Sequence, residues 1–284
     1  YEQWTEGWDM ADGSSLLVVD NITVHRGGVP VIENASLTME AGEFVGIVGP
    51  NGGGKSTFVQ AILGVLKCHA GEVRLKGHAP MSDEVIGSVA WVSQAAANLP
   101  KSVRLTVREL VGLGTMNKRT WFKPRFGQHP VVDEAIEMVG LTDVAHRDVN
   151  QLSGGQRQRA VIARALASQA EFLVLDEPLV GLDRASRNTL LKLLDRFCHD
   201  QNKTILMVSH DITAMRQTAH RLIYLEDTVR FDGPPPLFPS LEELASLRGI
   251  DDVHGGHHHD HSEAECTHDH SSSPTTGGQL MEGE

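Results

Sequence analysis

The segment GPNGGGKST, residues 49–57, has the residue types and the spacing that bind phosphate groups. It fits Gly-x-x-x-x-Gly-Lys-Ser/Thr and lies between an apolar, β-like run and a helical pattern, which is the context that this motif requires. Glycines allow backbone N–H groups to curl around phosphate oxygens, and the start of the helix adds a partial positive charge. We predict that Lys55 reaches the β- and γ-phosphates of a nucleotide and that Ser56 is a Mg²⁺ ligand. The predicted phosphate-binding set is Gly49, Pro50, Asn51, Gly52, Gly53, Gly54, Lys55, Ser56 and Thr57.

The segment FLVLDEP, residues 172–178, is an apolar run that ends in two acidic residues. Buried strands rarely end in adjacent carboxylates without a cation to balance them. We predict that Asp176 holds Mg²⁺, directly or through water, and that Glu177 orients and deprotonates an attacking water. Taken alone, this pair is typical of a turn; downstream of a phosphate-binding loop it indicates hydrolysis.

The elements that must position these residues follow from the hydrophobic pattern. Short strand patterns separated by turns cover residues 16–48, and strand patterns return at 71–77 and 87–94. Helical patterns dominate from about 105 to 167, and strands alternate with helices after 171. Such alternation predicts parallel βαβ units. The sequence therefore predicts an α/β core interrupted by a helical insertion.

Composition and charge exclude several classes of protein. The 284 residues are 40% hydrophobic and 22% charged, as in a globular protein. No apolar run approaches the roughly 20 residues of a membrane-spanning helix, and residues 1–15 lack the pattern of a secretory signal. Three widely spaced cysteines argue against a disulfide framework. The net charge of −12 disfavours nucleic acid as a partner.

The segment LSGGQRQR, residues 152–159, precedes FLVLDEP and resembles the signature of ABC-type ATPases, the nucleotide-binding subunits of ABC transporters. The resemblance covers about residues 16–235. It implies a P-loop NTPase fold of the ABC ATPase type, with a RecA-like core, an antiparallel β subdomain and a helical subdomain inserted at about 98–165. It also implies that Ser153, Gly154, Gly155 and Gln156 start a helix facing the γ-phosphate held by the other subunit. Taken alone, LSGGQ is also typical of an ordinary helix cap.

Three further residues match motifs of this family in the expected order. Gln94 resembles the glutamine that touches Mg²⁺ and water, Asp183 in GLD resembles the carboxylate of the loop between the two active sites, and His210 resembles the switch histidine at the γ-phosphate. Each of these three, alone, is more typical of a structural role. One position departs from the family, because His25 occupies the place of the aromatic residue that stacks on adenine; we treat stacking by His25 and a plain turn role as open alternatives.

The resemblance also implies partners. Because the chain carries one set of motifs, two copies must form a head-to-tail dimer around two ATP molecules with Mg²⁺. A separate integral membrane permease would convert closure of that dimer into transport, with an extracytoplasmic solute-binding protein acting indirectly. These partners place the chain at the cytoplasmic face of the cell membrane.

The basic and aromatic spacing of residues 116–141 resembles ATP-binding subunits of zinc- and manganese-type importers. A solvated loop with one anchoring aromatic residue is the alternative. Importers of ferric chelates or cobalamin, exporters and non-transport ABC-type ATPases share the same nucleotide motifs, so the predicted metal cargo rests on this segment and on the tail.

The C-terminal region divides into a short helical pattern at 236–250 and a polar tail at 251–284 that we predict to be disordered. Seven of the fifteen histidines lie in residues 254–270 of this tail. Imidazole, carboxylate and thiolate groups together suit Zn²⁺, Ni²⁺ or Co²⁺. A biased tail without function is the alternative. The candidate ligands are His254, His257, His258, His259, His261, Cys266, His268 and His270.

Overall fold

The computed structural model describes residues 15–98, 100, 102, 104–116, 129–240 and 243–244. Residues 1–14, residues 117–128 of the basic and aromatic segment and the histidine-rich tail lie outside these residues. By contacts the chain divides into two units, Tyr1–Leu241 and Glu242–Glu284. All of the elements below belong to the first unit.

The first unit contains nine strands among its described residues. They are β1 (Ser15–Arg26), β2 (Val29–Glu40), β3 (Phe44–Val48), β4 (Ala70–Leu75), β5 (Val89–Val92), β6 (Phe172–Asp176), β7 (Thr204–Val208), β8 (Arg221–Glu226) and β9 (Thr228–Gly233).

The same residues form six α-helices. They are α1 (Lys55–Ile62), α2 (Val107–Gly112), α3 (Pro130–Met138), α4 (Gly154–Ala167), α5 (Arg184–Gln201) and α6 (Ile212–Thr218).

Two sheets organise the strands. The larger sheet has the order β5-β6-β7-β3-β8-β9, in which β5 to β8 pair in parallel and β9 pairs antiparallel with β8. The smaller sheet is antiparallel, in the order β2-β1-β4. Every residue of β3, β6 and β7 is buried, as expected for central parallel strands covered on both faces. The predicted α/β core and antiparallel β subdomain are both present.

The helical insertion is also present. Along the chain, α2, α3 and α4 lie between β5 and β6, and each of the three packs against the other two. Helix α4 also contacts β5, which joins the insertion to the parallel sheet. No helix in the described part of the chain has the length and apolar character needed to cross a bilayer.

Two details differ from the sequence-based expectations. Residues 15–40 form two long strands of 12 residues each, β1 and β2, in place of several short ones, because bulges let each strand bend instead of ending. Strand β9 extends into FDGPPP, residues 231–236, although these residue types usually break regular structure, and it continues through Gly233. Phe238, beyond the strand, packs edge-on against Tyr224 and Phe231 and is buried.

Candidate active site

Strand register brings the predicted catalytic residues to one edge of the larger sheet. Val208 of β7 is the partner of Ile47 in β3 on one side and of Asp176 in β6 on the other. The three strands are parallel, so the segments that follow them leave the sheet at the same edge. Gly49, Glu177 and His210 each follow these aligned residues by one or two positions. Ligands of open parallel sheets bind at this carboxyl edge.

The phosphate-binding loop connects β3 to α1 and keeps the start of that helix open. Gly54 is the N-cap of α1 and has a φ of 86°, a left-handed conformation that strains other residues. A Cβ atom on Gly54 would also lie 2.4 Å from Cδ1 of Ile32. Helix α1 has no side-chain cap. Its first-turn N–H groups are therefore left for an anion.

Lys55 lies over the loop that precedes it. Its Nζ atom donates hydrogen bonds to the carbonyl oxygens of Gly49 at 3.0 Å and Pro50 at 2.7 Å. Burial lowers the pKa of Lys55 from its ordinary value, while the carboxylates of Glu177 and Asp176 oppose that shift. The ammonium group is thus held close to the loop by weak carbonyl acceptors, which a phosphate oxygen can replace with a stronger, charge-assisted bond.

Asp176 and Ser56 form the candidate magnesium site. Ser56 Oγ donates to Asp176 Oδ1 at 3.3 Å, across 120 positions of sequence. Only 4% of Asp176 is exposed, and this burial raises the pKa of its carboxyl group. A hydroxyl and a carboxylate are hard oxygen donors, the kind that Mg²⁺ prefers. A cation here would offset the cost of the buried negative charge, so these residues fit the metal.

Glu177 and His210 meet directly, although 33 positions separate them. Nδ1 of His210 lies 2.8 Å from Oε2 of Glu177. The Glu177 side chain is 10% exposed and that of His210 is 59% exposed. Glu177 has a φ of 53°, and its N–H donates to the carbonyl oxygen of Val208 at 3.0 Å. A non-glycine residue held in this region is strained, and such strain clusters at functional sites.

The loop after Glu177 leads into α5, and Asp183 caps that helix. Asp183 Oδ1 accepts the N–H of Ser186 at 2.9 Å, and Oδ2 accepts the Ser186 hydroxyl at 2.7 Å. These hydrogen bonds lower the pKa of the exposed Asp183 carboxyl group. In this chain, therefore, Asp183 shapes the start of α5.

The start of α4 carries the signature residues and is closed by its own side chains. Ser153 Oγ accepts the N–H of Gln156 at 3.2 Å, and Gln156 Oε1 accepts the N–H of Ser153 at 3.0 Å, a reciprocal capping box. Gly155 packs tightly on α5, since a Cβ atom there would lie 2.6 Å from Oγ of Ser186. The signature segment thus lies beside the loop that contains Asp183.

The other two predicted residues, Gln94 and His25, make no hydrogen bond or ring contact with this cluster in the part of the chain that the structure describes. Gln94 is exposed in the turn after β5 and leaves the sheet at the same edge as Asp176, because β5 and β6 are parallel. Within the described residues it makes no hydrogen bond to Ser56, Asp176 or Glu177. His25 is the residue before the last one of β1, and it stacks on His69, with ring centroids 4.3 Å apart and ring planes inclined by 17°.

The predicted tail ligands from His254 to His270 lie outside the described residues. The part of the chain that the structure describes contains no group of three or more His, Cys, Asp or Glu side chains arranged to hold a metal ion.

Three neighbours of the site were missed by the sequence analysis. His69 supports His25 by stacking, Asp211 caps α6 beside His210, and Arg187 pairs with Asp211. Asp211 had a signal, because an Asp just before a helical pattern is a favoured N-cap. The sequence contained no such signal for His69 or Arg187, since their contacts join elements that are far apart in the chain.

The chain is similar to several known proteins. Residues 32–180 match the ABC transporter family. The zinc uptake system ATP-binding protein ZurA of Listeria innocua is 36% identical over 84% of this chain and 96% of its own length. The manganese transport system ATP-binding protein MntB of Halalkalibacterium halodurans is 36% identical over 77% of this chain and 86% of its own length.

Among solved structures, the chain is similar to the ATP-binding cassette MJ0796, described as a dimer in a post-hydrolysis state with ADP and phosphate bound. The two are 31% identical with a TM-score of 0.65, and the match covers 78% of this chain and 100% of the other. The glycine-rich loop, the paired acids and the signature helix all lie within residues 32–180, which match the family. This chain therefore belongs to the ABC transporter family, as one of its ATP-hydrolysing nucleotide-binding chains.

Proposed function

We propose that this chain hydrolyses ATP to drive import of a divalent metal ion, zinc or manganese, through a separate membrane permease. One observation carries the catalytic part of the proposal. Glu177 and His210 contact each other at the sheet edge where Ser56 contacts Asp176 and where Lys55 covers the glycine-rich loop.

The triphosphate binds in the loop from Gly49 to Thr57. The free N–H groups of α1 and the ammonium group of Lys55 bond to the phosphate oxygens, since both are donors without a strong acceptor in the described structure. His25, supported by His69, provides an apolar ring face for adenine.

Ser56 and Asp176 hold Mg²⁺, with Gln94 reaching it from the neighbouring strand end. The metal, when bound, supplies positive charge that neutralises the phosphate oxygens. The chain itself positions the ligand atoms, because the hydrogen bond between Ser56 and Asp176 keeps the two oxygens close together.

Glu177 acts as the general base for the attacking water, and His210 holds its carboxylate in place. Oε2 of Glu177 lies 2.8 Å from Nδ1 of His210, which leaves the second carboxylate oxygen for water. Proton transfer by a positioned side chain contributes about 10²–10⁴-fold in rate. The strained backbone at Glu177 fixes the direction from which the carboxylate reaches into the site.

A second copy of the chain completes each site. Ser153, Gly154, Gly155 and Gln156 start a helix that packs on α5, and they contact the γ-phosphate bound by the other copy. A helix start with a serine hydroxyl suits a phosphate oxygen. The dimeric state described for the similar cassette MJ0796 supports a head-to-tail dimer here, with Asp183 at the junction between the two sites.

Transport requires a permease, which places this chain at the cytoplasmic face of the cell membrane. Closure of the dimer moves the helical insertion and Gln94, and the permease converts this movement into transport. An extracytoplasmic solute-binding protein delivers the cargo. Residues 16–235 form the ATP-binding domain, with the helical subdomain at about 98–165.

The metal cargo is supported by the names of similar proteins, a zinc uptake and a manganese transport ATP-binding protein. A ferric chelate, cobalamin or an exported substrate is the alternative, because the nucleotide site is shared by all of these systems. Within residues 254–270, seven histidines with acidic neighbours form a second metal-binding region that takes up Zn²⁺.

Hydrolysis is tested with the purified chain and MgATP, with the variant Glu177→Gln. We expect phosphate release to fall by about 10²-fold or more while ATP binding is retained. The matched control is Glu171→Gln, the same change at an exposed residue that pairs with Lys76. Equal activity of native protein and Glu177→Gln would disprove the assignment of the base.

Cargo is tested in cells that make only the Glu177→Gln chain, grown with scarce metals and compared with cells that make the native chain. We expect a selective fall in cellular zinc or manganese. A fall in iron alone would favour the ferric-chelate alternative, and unchanged metal content would disprove metal import. Zinc binding by the tail is tested by calorimetric titration of the full chain against a variant whose seven tail histidines are serines.

A further inference from the structure

The start of α5 is tied to the segment that holds His210. Arg187, in the first turn of α5, donates from Nη1 to Oδ2 of Asp211 at 2.6 Å. The two side chains are 37% and 22% exposed, so the pair is partly shielded from water. Arg187 follows the cap residue Asp183 by one helical turn and donates its own N–H to the Asp183 carbonyl oxygen at 2.9 Å.

Asp211 is held from three directions. Its Oδ1 atom caps α6 by accepting the N–H of Ala214 at 3.0 Å, while Oδ2 accepts from Arg187. Its own N–H donates to Oγ of Ser209 at 3.1 Å. Each carboxylate oxygen therefore has a separate partner on a separate helix.

His210 lies between two fixed residues. Ser209 is fully buried, and its N–H donates to the carbonyl oxygen of Ile47 in β3 at 3.0 Å. Asp211 on the other side is held by Arg187. The exposed imidazole of His210 contacts the carboxylate of Glu177. The direction of the ring therefore depends on the backbone of His210, which Ser209 and Asp211 hold on either side.

The start of α5 also contacts the signature helix. A Cβ atom on Gly155 would lie 2.6 Å from Oγ of Ser186, so no side chain separates the two helix starts. Ser186 is bonded to Asp183 and adjoins Arg187. Packed and hydrogen-bonded residues thus run without a break from the start of α4, through the start of α5, to Asp211 and His210.

We propose that Arg187 and Asp211 form a positioning ion pair that holds His210 against Glu177 and makes its place depend on the start of α5. The inference rests on the proposed function. In the dimer, the start of α4 meets the nucleotide of the other copy, so the pair connects each active site to the next. Arg187 is a positioning residue, since it acts through His210.

A purely stabilising surface ion pair is the competing explanation. Such pairs contribute little to folding stability and nothing to the chemistry. The chain offers a matched control on the same helix, because Nε of Arg196 pairs with Oδ2 of Asp200 at 3.6 Å and both side chains are exposed. Arg196→Gln removes the same charge from α5 without touching the segment at His210.

The experiment measures kcat and KM for ATP with the full chain. We expect Arg187→Gln to lower kcat about tenfold while KM stays within about twofold, because a small misplacement of a catalytic group slows chemistry more than binding. Arg187→Lys should restore most of kcat, and Asp211→Asn should resemble Arg187→Gln. In a His210→Ala chain, Arg187→Gln should have no further effect, because residues acting through one group are not additive.

A second readout does not depend on activity. Histidine-selective ¹³C labelling reports each imidazole, and the His210 signal is assigned by its loss in His210→Asn. We expect Arg187→Gln to shift or broaden this signal and Arg196→Gln to leave it in place. Thermal unfolding shows which variants fold; if Arg187→Gln does not, Arg187→Lys and Asp211→Asn decide.

Two results overturn the inference while leaving the proposed function intact. In the first, the native chain hydrolyses MgATP, and Arg187→Gln has the same kcat and the same His210 signal as the native chain. In the second, Arg187→Gln lowers kcat by the same factor in the native chain and in the His210→Ala chain. If the native chain and Arg196→Gln both fail to hydrolyse MgATP, the proposed function fails and the inference fails with it.

Discussion

Helices α1 and α4 both start in glycine-rich segments that the sequence associates with phosphate, yet their first turns are built differently. Helix α1 starts after Gly54, which has no side chain to cap it. Helix α4 starts after Ser153, which forms a reciprocal box with Gln156. One helix start is open and the other is closed by its own residues.

The difference shows that two helix starts suited to phosphate can differ in whether they are stable without it. The open start of α1 needs a ligand, because its N–H groups and the ammonium of Lys55 have only weak partners. The closed start of α4 is stable without one. Its serine accepts a bond from Gln156 and still has a hydroxyl proton to donate. Such a surface suits a phosphate that arrives with a second copy.

The largest expected effect separates binding at the two helix starts. Lys55→Ala should weaken ATP binding by about 100-fold, roughly 3 kcal/mol, because it removes a charge-assisted bond to phosphate. Ser153→Ala should leave ATP binding by the single chain unchanged. Isothermal titration with MgATP measures both, with Lys76→Ala as the control for loss of an exposed lysine. Equal weakening by Lys55→Ala and Ser153→Ala would remove the distinction.

Glycine replacement should distinguish the two backbones. Gly54→Ala should lower the free energy of unfolding by about 1–3 kcal/mol, because the left-handed conformation and the contact with Ile32 both oppose a methyl group. Gly154→Ala should cost nothing in stability, since its added Cβ would meet Gly181 at 3.7 Å, an ordinary contact. Urea unfolding measures both changes. A costly Gly154→Ala would mean that the α4 start is as constrained as the loop.

Ser153→Ala should lower kcat about tenfold and stability by about 1 kcal/mol, since it removes both the donor to the partner's phosphate and the helix cap. Ser168→Ala, at the other end of α4, is the control, because that hydroxyl donates to the carbonyl oxygen of Ala165 and accepts the N–H of Ala170, both at the C-terminal end of the helix. Phosphate release and thermal unfolding provide the two numbers. Full activity in Ser153→Ala would argue against a role of this helix start in catalysis.

The smallest expected effect concerns the buried carboxyl group of Asp176, beside the start of α1. Burial raises the pKa of Asp176 above its ordinary value of 3.8, so the folded chain binds that proton more tightly than the unfolded chain. The contribution of Asp176 to stability is therefore lost as the pH rises from 3.8 through the raised pKa. In EDTA at neutral pH, Asp176→Asn should raise Tm by about 1–3 °C.

This gain should shrink as the pH falls through the raised pKa of Asp176 and vanish below 3.8, where this carboxyl group is neutral in the folded and the unfolded chain. Saturating Mg²⁺ should also reduce it, because the cation stabilises only the native carboxylate. Thermal unfolding at several pH values measures the gap. A gap that does not change with pH would mean that Asp176 is not under electrostatic strain.

Local features of both regions could be predicted from the sequence. The apolar runs before Gly49 and up to Asp176 become fully buried strands, as expected. Ser153 is the helix cap that its position in LSGGQ, directly before a helical pattern, predicts. These features depend on contacts within three or four residues, which a short pattern already contains.

Contacts between separate elements could not be predicted. His25 was expected to stack on adenine or to serve as a turn residue, and its stacking on His69 had no local signal. The extent of β9 was also not predictable, because the strand continues through Gly233 although the residue types there usually break regular structure. Pairing with β8 supplies the hydrogen bonds that decide this strand.

The sequence by itself determined the kinds of chemistry in this protein: a loop for phosphate, a pair of acids, a signature segment and a histidine at the position of the family's switch histidine, in an order typical of one family. Only the tertiary structure decided which of them touch. Glu177 meets His210, Ser56 meets Asp176 and Arg187 meets Asp211 because parallel strands end in register and helices pack side by side. The reason is physical, since sequence patterns record short-range preferences whereas these pairs depend on the packing of strands and helices far apart in the chain.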